Sequence, residues 1–360
     1  MSARTLLIVC VSLVLAACST PAPETPTATA VTPERPTPTP SPVPPTDTPS
    51  PTPEPTATPI PKLSVVLARG AVRCGIDPAR PDFDAGQVNF DLDLCRALAA
   101  ALFDNPDAYT AVQLDSRAAV AALGADEIDI YIGAADQIPS DTFAGPTMFI
   151  DAAGALARID VGIRQISDLK FATVCLIQDS IDERRFMEEA AASRVAVQPF
   201  LFNASDRDAM YNAYDEGRCD AVVDDRIRLA LRRPALSVPR DHALIDLALI
   251  KSKRGMLAAA SDANWAAVVD AASSVLIWGE QLSVTSASLE AALLSEDAAL
   301  RRLLGGEGNI GAQLGLSNDF AARIIRRVGN YAEMYERHYD GLPRGPNALV
   351  KDGGMIAVEP

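Results

Sequence analysis

Two histidines, His242 and His338, are all that this 360-residue chain carries, and none of its six cysteines is spaced as CxxC. A zinc site of the usual Cys/His kind is therefore not expected, nor any other metal or cofactor. HExxH, P-loop and GxSxG signatures are missing. Neither histidine has a nucleophile beside it in sequence, and His338, in ERHY near a helix end, reads as a surface residue. Gly306, Gly308 and Gly311 match GxGxxG by letter. They follow the helical ALRRLL, whereas a dinucleotide fingerprint needs a strand before it and a βαβ unit around it. A helix-ending turn is the expected use. Positive charge is also short. Lys and Arg total 32 against 47 Asp and Glu, a formal charge of −15, which argues against a nucleic-acid partner and against adhesion to anionic lipid. After the N-terminus no run of about 20 apolar residues occurs, so the chain is not a permease.

The N-terminus does hold an apolar run. MSARTLLIVCVSLVLAAC has one Arg, then apolar residues, then small ones, the layout of a secretory signal rather than of a membrane span. Its ending, Leu15-Ala16-Ala17-Cys18, resembles the bacterial lipobox, in which the cysteine is acylated and becomes the new N-terminus. Acyl chains anchor by burying methylenes, at roughly 0.8 kcal/mol each. Between residues 21 and 61, 16 of 41 residues are Pro, and most of the rest are Thr, Ala and Ser. Such a segment cannot repay the ordering entropy of a fold. It favours extended polyproline II and would reach on the order of 100 Å as a tether.

About 300 residues follow, enough for two domains or one bilobal domain. Four cysteines remain, Cys74, Cys95, Cys175 and Cys219; in an exported protein they suggest two disulfides, with three possible pairings. Short β-rich runs alternate with Ala/Leu-rich helical runs. VRCGI (72–76) reads as a strand, residues 91–103 as a helix, TAVQL (110–114) as a strand, SRAAVAALGA as a helix and IDIYI (128–132) as a strand. The pattern restarts with FATVCLI (171–177) and a helix for which Ser180 is the N-cap and Glu183 stands three residues on. VAVQPF, DRDAMYNAYDEG and CDAVV complete a second unit. Two βαβαβ units imply two α/β lobes with parallel sheets, whose ligands bind at the carboxyl ends of the strands. From 255 a strand-like GMLAAAS leads into a long helical stretch.

Laid out so, the chain resembles the bacterial periplasmic solute-binding proteins of amino-acid ABC transporters, the general L-amino-acid-binding subgroup above all. The matching stretches include VRCGIDPARPDF, FDLDLCRALAAALF, EIDIYIG, FATVCLIQ, AYDEGRCDAVVDDR, LRRLLGGEGNIGAQLGLSND and GPNALVKDGG, across about residues 65–358. The resemblance implies a two-lobed periplasmic-binding fold of type II, parallel-sheet lobes joined by a hinge, with a C-terminal helical extension. Ahead of it, the lipobox reading gives a signal peptide over 1–17 and a lipidated Cys18 with its tether over 18–62. The first lobe would take 63–157, the second 158–247, and the chain would return to the first over 248–360, with hinge strands near ALARID and IDLALI. It also implies intra-lobe pairs, Cys74 with Cys95 and Cys175 with Cys219; a bond between lobes would hinder hinge closure.

By resemblance Asp225 aligns with a carboxylate that meets a ligand amine, Phe83 with an aromatic covering the ligand, and Ser180 with a Thr beside the ligand carboxylate at a helix N-terminus, where unpaired N–H groups suit an anion. One stretch departs from the pattern. GAADQIPSD (133–141) places Ser140 where the family has an Arg, and Asp136 where it has a Trp. A serine cannot copy the forked pair of an arginine with a carboxylate. Arg80 then has two readings: a solvated surface residue, which is the simpler, or a cation that reaches the cleft and replaces the lost one. The implied function is extracytoplasmic capture of an amino acid or related small amine-bearing solute for an ABC permease, by a lipid-anchored monomer that is not an enzyme. The alternatives are a sensory or structural binding lipoprotein with altered or lost binding, and an enzyme such as a dehydratase on the same fold.

Overall fold

Val72–Ile76 (β1) is almost wholly buried, and its apolar residues carry it into the middle of a lobe. It pairs in parallel with Tyr109–Gln113 (β2) on one side and with Ile130–Ala134 (β3) on the other. This is a computed structural model, and it describes residues 60–82, 89–135, 139 and 141–358. The signal-like segment, Cys18 and nearly all of the Pro-rich run lie outside the described residues, as do Phe83, Asp136 and Ser140.

A second parallel group repeats the arrangement. Thr173–Ile177 (β6) pairs with Gln198–Phe202 (β7) and with Ala221–Asp225 (β8). Two strands connect the groups: Phe149–Arg158 (β5) and the 18-residue His242–Ala259 (β9). They run antiparallel to each other along nearly their whole length. β9 also pairs with β3, and β5 with β8. The expectation of two parallel sheets therefore needs amending. The hydrogen-bond ladder is continuous in the order β2-β1-β3-β9-β5-β8-β6-β7, with Thr142–Ala144 (β4) on β9, because each crossing strand satisfies its backbone groups first in one lobe and then in the other.

Helices cover the faces. Phe90–Phe103 (α2) begins where the Asn89 side chain accepts from the Leu92 N–H at 2.9 Å, satisfying a donor that the first turn leaves free. Leu94, Leu98 and Ala101 are all buried against the sheet and its helical cover. Lys62–Arg69 (α1) and Ser116–Gly124 (α3) complete the helices before β3. In the second lobe Ile181–Ala192 (α4) follows β6, Arg207–Asp215 (α5) follows β7, and Arg226–Arg232 (α6) follows β8. After β9 the helical stretch is divided into Ala263–Gln281 (α7), Leu289–Leu293 (α8), Ala298–Leu303 (α9), Ile310–Leu314 (α10), Phe320–Arg327 (α11) and Tyr331–Tyr339 (α12). Gly305 (φ 81°) and Gly315 (φ 78°) take the left-handed conformation after α9 and α10. Residues 305–309 of the GGEGNIG run thus form a turn between two short helices, and Ile310 and Gly311 already open α10. Among the described residues no helix is long and apolar enough to cross a membrane.

Cys175 and Cys219 form a disulfide inside the second lobe, with Cα atoms 5.8 Å apart. The expected Cys74–Cys95 bridge is not formed. Both are buried free cysteines, one on β1 and one on α2. Burial and a hydrogen bond to Cys95 push the Cys74 thiol well above its usual range, so the thiolate that would carry exchange is suppressed.

Candidate ligand cleft

Where β5 and β9 cross between the lobes, the carboxyl ends of β1, β6 and β8 open onto a cleft of about 290 Å³. Its walls are charged: Asp77 and Arg80 from the segment after β1, Asp151 from β5, Asp182 from α4, Asp225 and Arg228 around the start of α6, and Lys251 and Arg254 from β9. Strand ends supply these groups because a chain leaving a sheet here starts a loop or helix, whose polar side chains are free of the core.

Asp225 is the last residue of β8 and the N-cap of α6. Its Oδ1 accepts from the backbone N–H groups of Ile227 (2.9 Å) and Arg228 (3.2 Å), an ordinary capping role. Its Oδ2 lies 2.5 Å from Lys251 Nζ. Lys251 also stands 3.1 Å from Asp182 Oδ1. Burial works against the Lys251 charge, but Asp225 and then Asp182 outweigh it and raise the lysine pKa. The two partners are unequal. Burial pushes the Asp182 carboxyl up despite Lys251, with Asp224 and Asp225 adding to the rise. The distances make Asp225 the nearer counter-ion of Lys251.

Arg80 is not a solvated surface residue. Only 7% of it is exposed. Its Nε lies 3.0 Å from Asp82 and 3.5 Å from Asp91, its Nη1 3.3 Å from Asp151, and its Nη2 donates to Tyr339 Oη at 3.0 Å. The guanidinium also sits 5.0 Å from the Phe149 ring centroid. Burial opposes the charge, and Asp91, Tyr339, Asp82 and Asp151 together raise the Arg80 pKa. Arg80 does reach the cleft wall, but three carboxylates surround it. Arg254 is similarly engaged: its Nη2 donates to Asp91 (2.9 Å) and to the Ile132 carbonyl (3.1 Å). Asp151 accepts from the Ser252 hydroxyl at 2.9 Å.

Ser180 is the N-cap of α4, accepting from the Glu183 N–H at 3.0 Å. The structure thus brings Asp225 and Arg80 to one cleft and places Ser180 at the start of the helix whose next residues, Ile181 and Asp182, line it. His338 is not at the surface as expected; its Nε2 is 2.7 Å from the buried Asp93. Sequence reading missed Lys251, Arg228, Arg254, Asp151 and Asp182. A signal existed for two of them: IKSKRG puts three cations into a strand-like run next to the expected hinge. A larger groove of about 1140 Å³ lies among α7, α9 and α10. Its lining, with Ala263, Ala267, Trp278 and Leu314, is mainly apolar and offers no converging set of charges to orient a polar solute.

No protein-family model matches the chain. The general L-amino-acid-binding periplasmic protein AapJ of Rhizobium johnstonii is 30% identical over 316 residues, covering 83% of this chain and 92% of that protein. The chain belongs to the periplasmic amino-acid-binding proteins of ABC transporters. A second member of this family, the glutamate/glutamine/aspartate/asparagine-binding protein BztA of Rhodobacter capsulatus, is 29% identical over 318 residues, again covering 83% and 92%. Among solved structures, an ABC transporter/periplasmic binding protein from Brucella ovis with glutathione bound is 31% identical. It superposes with a TM-score of 0.63 over 82% of this chain and 98% of that one. The type II two-lobed fold of the family is the fold described above.

Proposed function

We propose that this protein captures an amino acid or a related small solute outside the cytoplasm and hands it to the permease of an ABC transporter, without chemical turnover. The observation that carries the reading is the charged cleft at the crossing of β5 and β9, built from residues of both lobes. A cleft of about 290 Å³ suits a small polar molecule. The relatives AapJ and BztA are themselves named as amino-acid-binding proteins. Closure of such a cleft about two crossing strands is the ordinary way a bilobal receptor traps its ligand. Asp225, Ser180 and Arg80 are proposed as parts of the binding site, together with Phe83, Asp136 and Ser140 by resemblance. For Asp225 to take a ligand amine, Lys251 must first give way.

The lipobox ending at Cys18 and the Pro-rich run after it support an exported protein held to a membrane by a lipid. The tether would leave the lobes free to reach a permease as a monomer. The proposal is tested by a thermal-shift screen of the mature protein against amino acids, polyamines and small organic acids. A true ligand at 100 times its Kd stabilises the folded state by about 2.7 kcal/mol. A screen in which no solute shifts the transition contradicts the proposal.

A further inference from the structure

Lys251 is placed by an irregularity in the hinge. In the β5–β9 ladder Asp151 faces Ser252 and Ala152 faces Ile250. Lys251 has no partner between them: it is the extra residue of a β-bulge. A bulge leaves its residue out of the ladder and turns its side chain from the regular alternation. Here the turn sends the ammonium between Asp225 and Asp182, at 2.5 and 3.1 Å. Those are the two carboxylates that the second lobe contributes to the cleft. Neither is left facing a ligand without a cation.

The donors are in the opposite condition. An ammonium has three N–H groups, and two carboxylates engage Lys251. Arg228, in the first turn of α6, has its Nε 3.5 Å from Asp224 Oδ1, and its terminal nitrogens donate to none of the described residues. The other two cleft cations, Arg80 and Arg254, are bound to carboxylates, a hydroxyl or a carbonyl, as above. On the opposite wall Asp77 accepts from the Ala79 N–H at 2.9 Å and meets no cation within ion-pair distance among the described residues.

We propose that the second-lobe wall is an anion subsite: Lys251, held by Asp225 and Asp182, and Arg228 receive a ligand carboxylate, so that the solute taken is a small carboxylic acid that presents no ammonium to Asp225. Lys251 stands where a free α-ammonium would have to sit. An acid with a carbonyl, a hydroxyl or a bare methylene beside its carboxylate brings no competing charge. Asp77 is left to accept from a hydroxyl or amide donor farther along the same molecule. This rests on the capture function proposed above and narrows it from amino acids and their relatives to the relatives without a free α-ammonium.

The test is calorimetric titration of the mature protein with matched pairs: L-glutamate against 2-oxoglutarate, and L-leucine against 4-methyl-2-oxopentanoate. The expected result is that at least one 2-oxo acid binds about tenfold or more tightly than its amino acid. Lys251→Met should narrow or reverse that ratio by freeing Asp225. Because Lys251→Met leaves two buried carboxylates together, Lys251→Met/Asp182→Asn is measured beside it. The wild-type ratio stands whether or not either variant folds. An amino acid that binds as tightly as its 2-oxo partner, or more tightly, overturns the inference and leaves solute capture intact. A ratio unchanged in a folded Lys251 variant also overturns it. If neither member of either pair binds, while an amine-bearing solute of the wider screen does, the inference falls alone. If nothing in the screen binds, both fall.

Discussion

Lys251 Nζ lies 2.5 Å from Asp225 Oδ2 and 3.1 Å from Asp182 Oδ1. This ion triad joins the hinge strand β9 to the ends of β8 and α4, and its three side chains are at most 12% exposed. Removing one partner of a buried pair leaves the other charge uncompensated, at a cost of about 3–5 kcal/mol. Lys251→Met should lower the unfolding free energy by about that much in urea titrations. Lys251→Met/Asp182→Asn should lose less, since one of the stranded carboxylates is gone. An unchanged midpoint for the single variant would show that the triad contributes little.

A second buried carboxylate gives a pH prediction. Asp93 accepts from Arg96 at 2.8 Å and is paired with Arg337 and with His338 Nε2. Burial raises its pKa, but His338 and Arg337 outweigh burial and hold it below the usual 3.8. A lowered folded value stabilises the fold above the unfolded pKa, and that contribution fades as pH falls through the folded one. Asp93→Asn should cost about 1.5–3 kcal/mol near neutral pH. The gap between wild type and variant should then shrink as the solution is acidified below the unfolded value. Urea unfolding over a series of acid pH values checks this, and a gap that stays constant would count against it.

The cysteines separate cleanly by chemistry. Cys175 and Cys219 are 44 residues apart in sequence, and a bridge over such a loop is worth about 2–4 kcal/mol. The Cys175→Ser/Cys219→Ser double variant should lose that much. Cys74 and Cys95 should resist iodoacetamide in the native protein and react once it is unfolded, both being fully buried. Peptide mapping that finds them joined would contradict the two free thiols.

Much of the fold was legible because burial imposes local patterns. VRCGI reads as a strand and is one, over the same five residues. Ser180 reads as a helix cap and caps α4. IDIYI reads as a strand over 128–132, two residues ahead of the observed β3 at Ile130–Ala134. Asp129 breaks the apolar run, and its carboxylate is taken by the backbone N–H of Arg73 at 2.7 Å and by Lys62 at 2.9 Å, so regular pairing of β3 begins after it. The cleft was harder. Asp182, Asp225 and Lys251 are far apart in sequence, and only the crossing of β9 over the ends of β8 and α4 brings them together. Arg80 fared likewise: PARPDF carries no sign that Asp91, Asp151 and Tyr339 will enclose its guanidinium.

The anchor is tested in cells. Cys18→Ala should abolish acylation and move the protein from the membrane to the soluble fraction. Wild-type protein found wholly in the soluble fraction would contradict the lipid anchor while leaving the cleft as it is.

The most direct measurement compares, by titration calorimetry, wild type and Arg228→Ala with the tightest ligand of the solute screen. Arg228 also has its Nε 3.5 Å from the buried Asp224, so the unfolding transition of the ligand-free variant is measured beside the titration to separate lost binding from lost stability. One-to-one binding by wild type, weakened by about 2–5 kcal/mol in the variant, is the expected result, since a charge-assisted contact inside the cleft is lost. Equal affinity in the two proteins would contradict solute capture between the lobes.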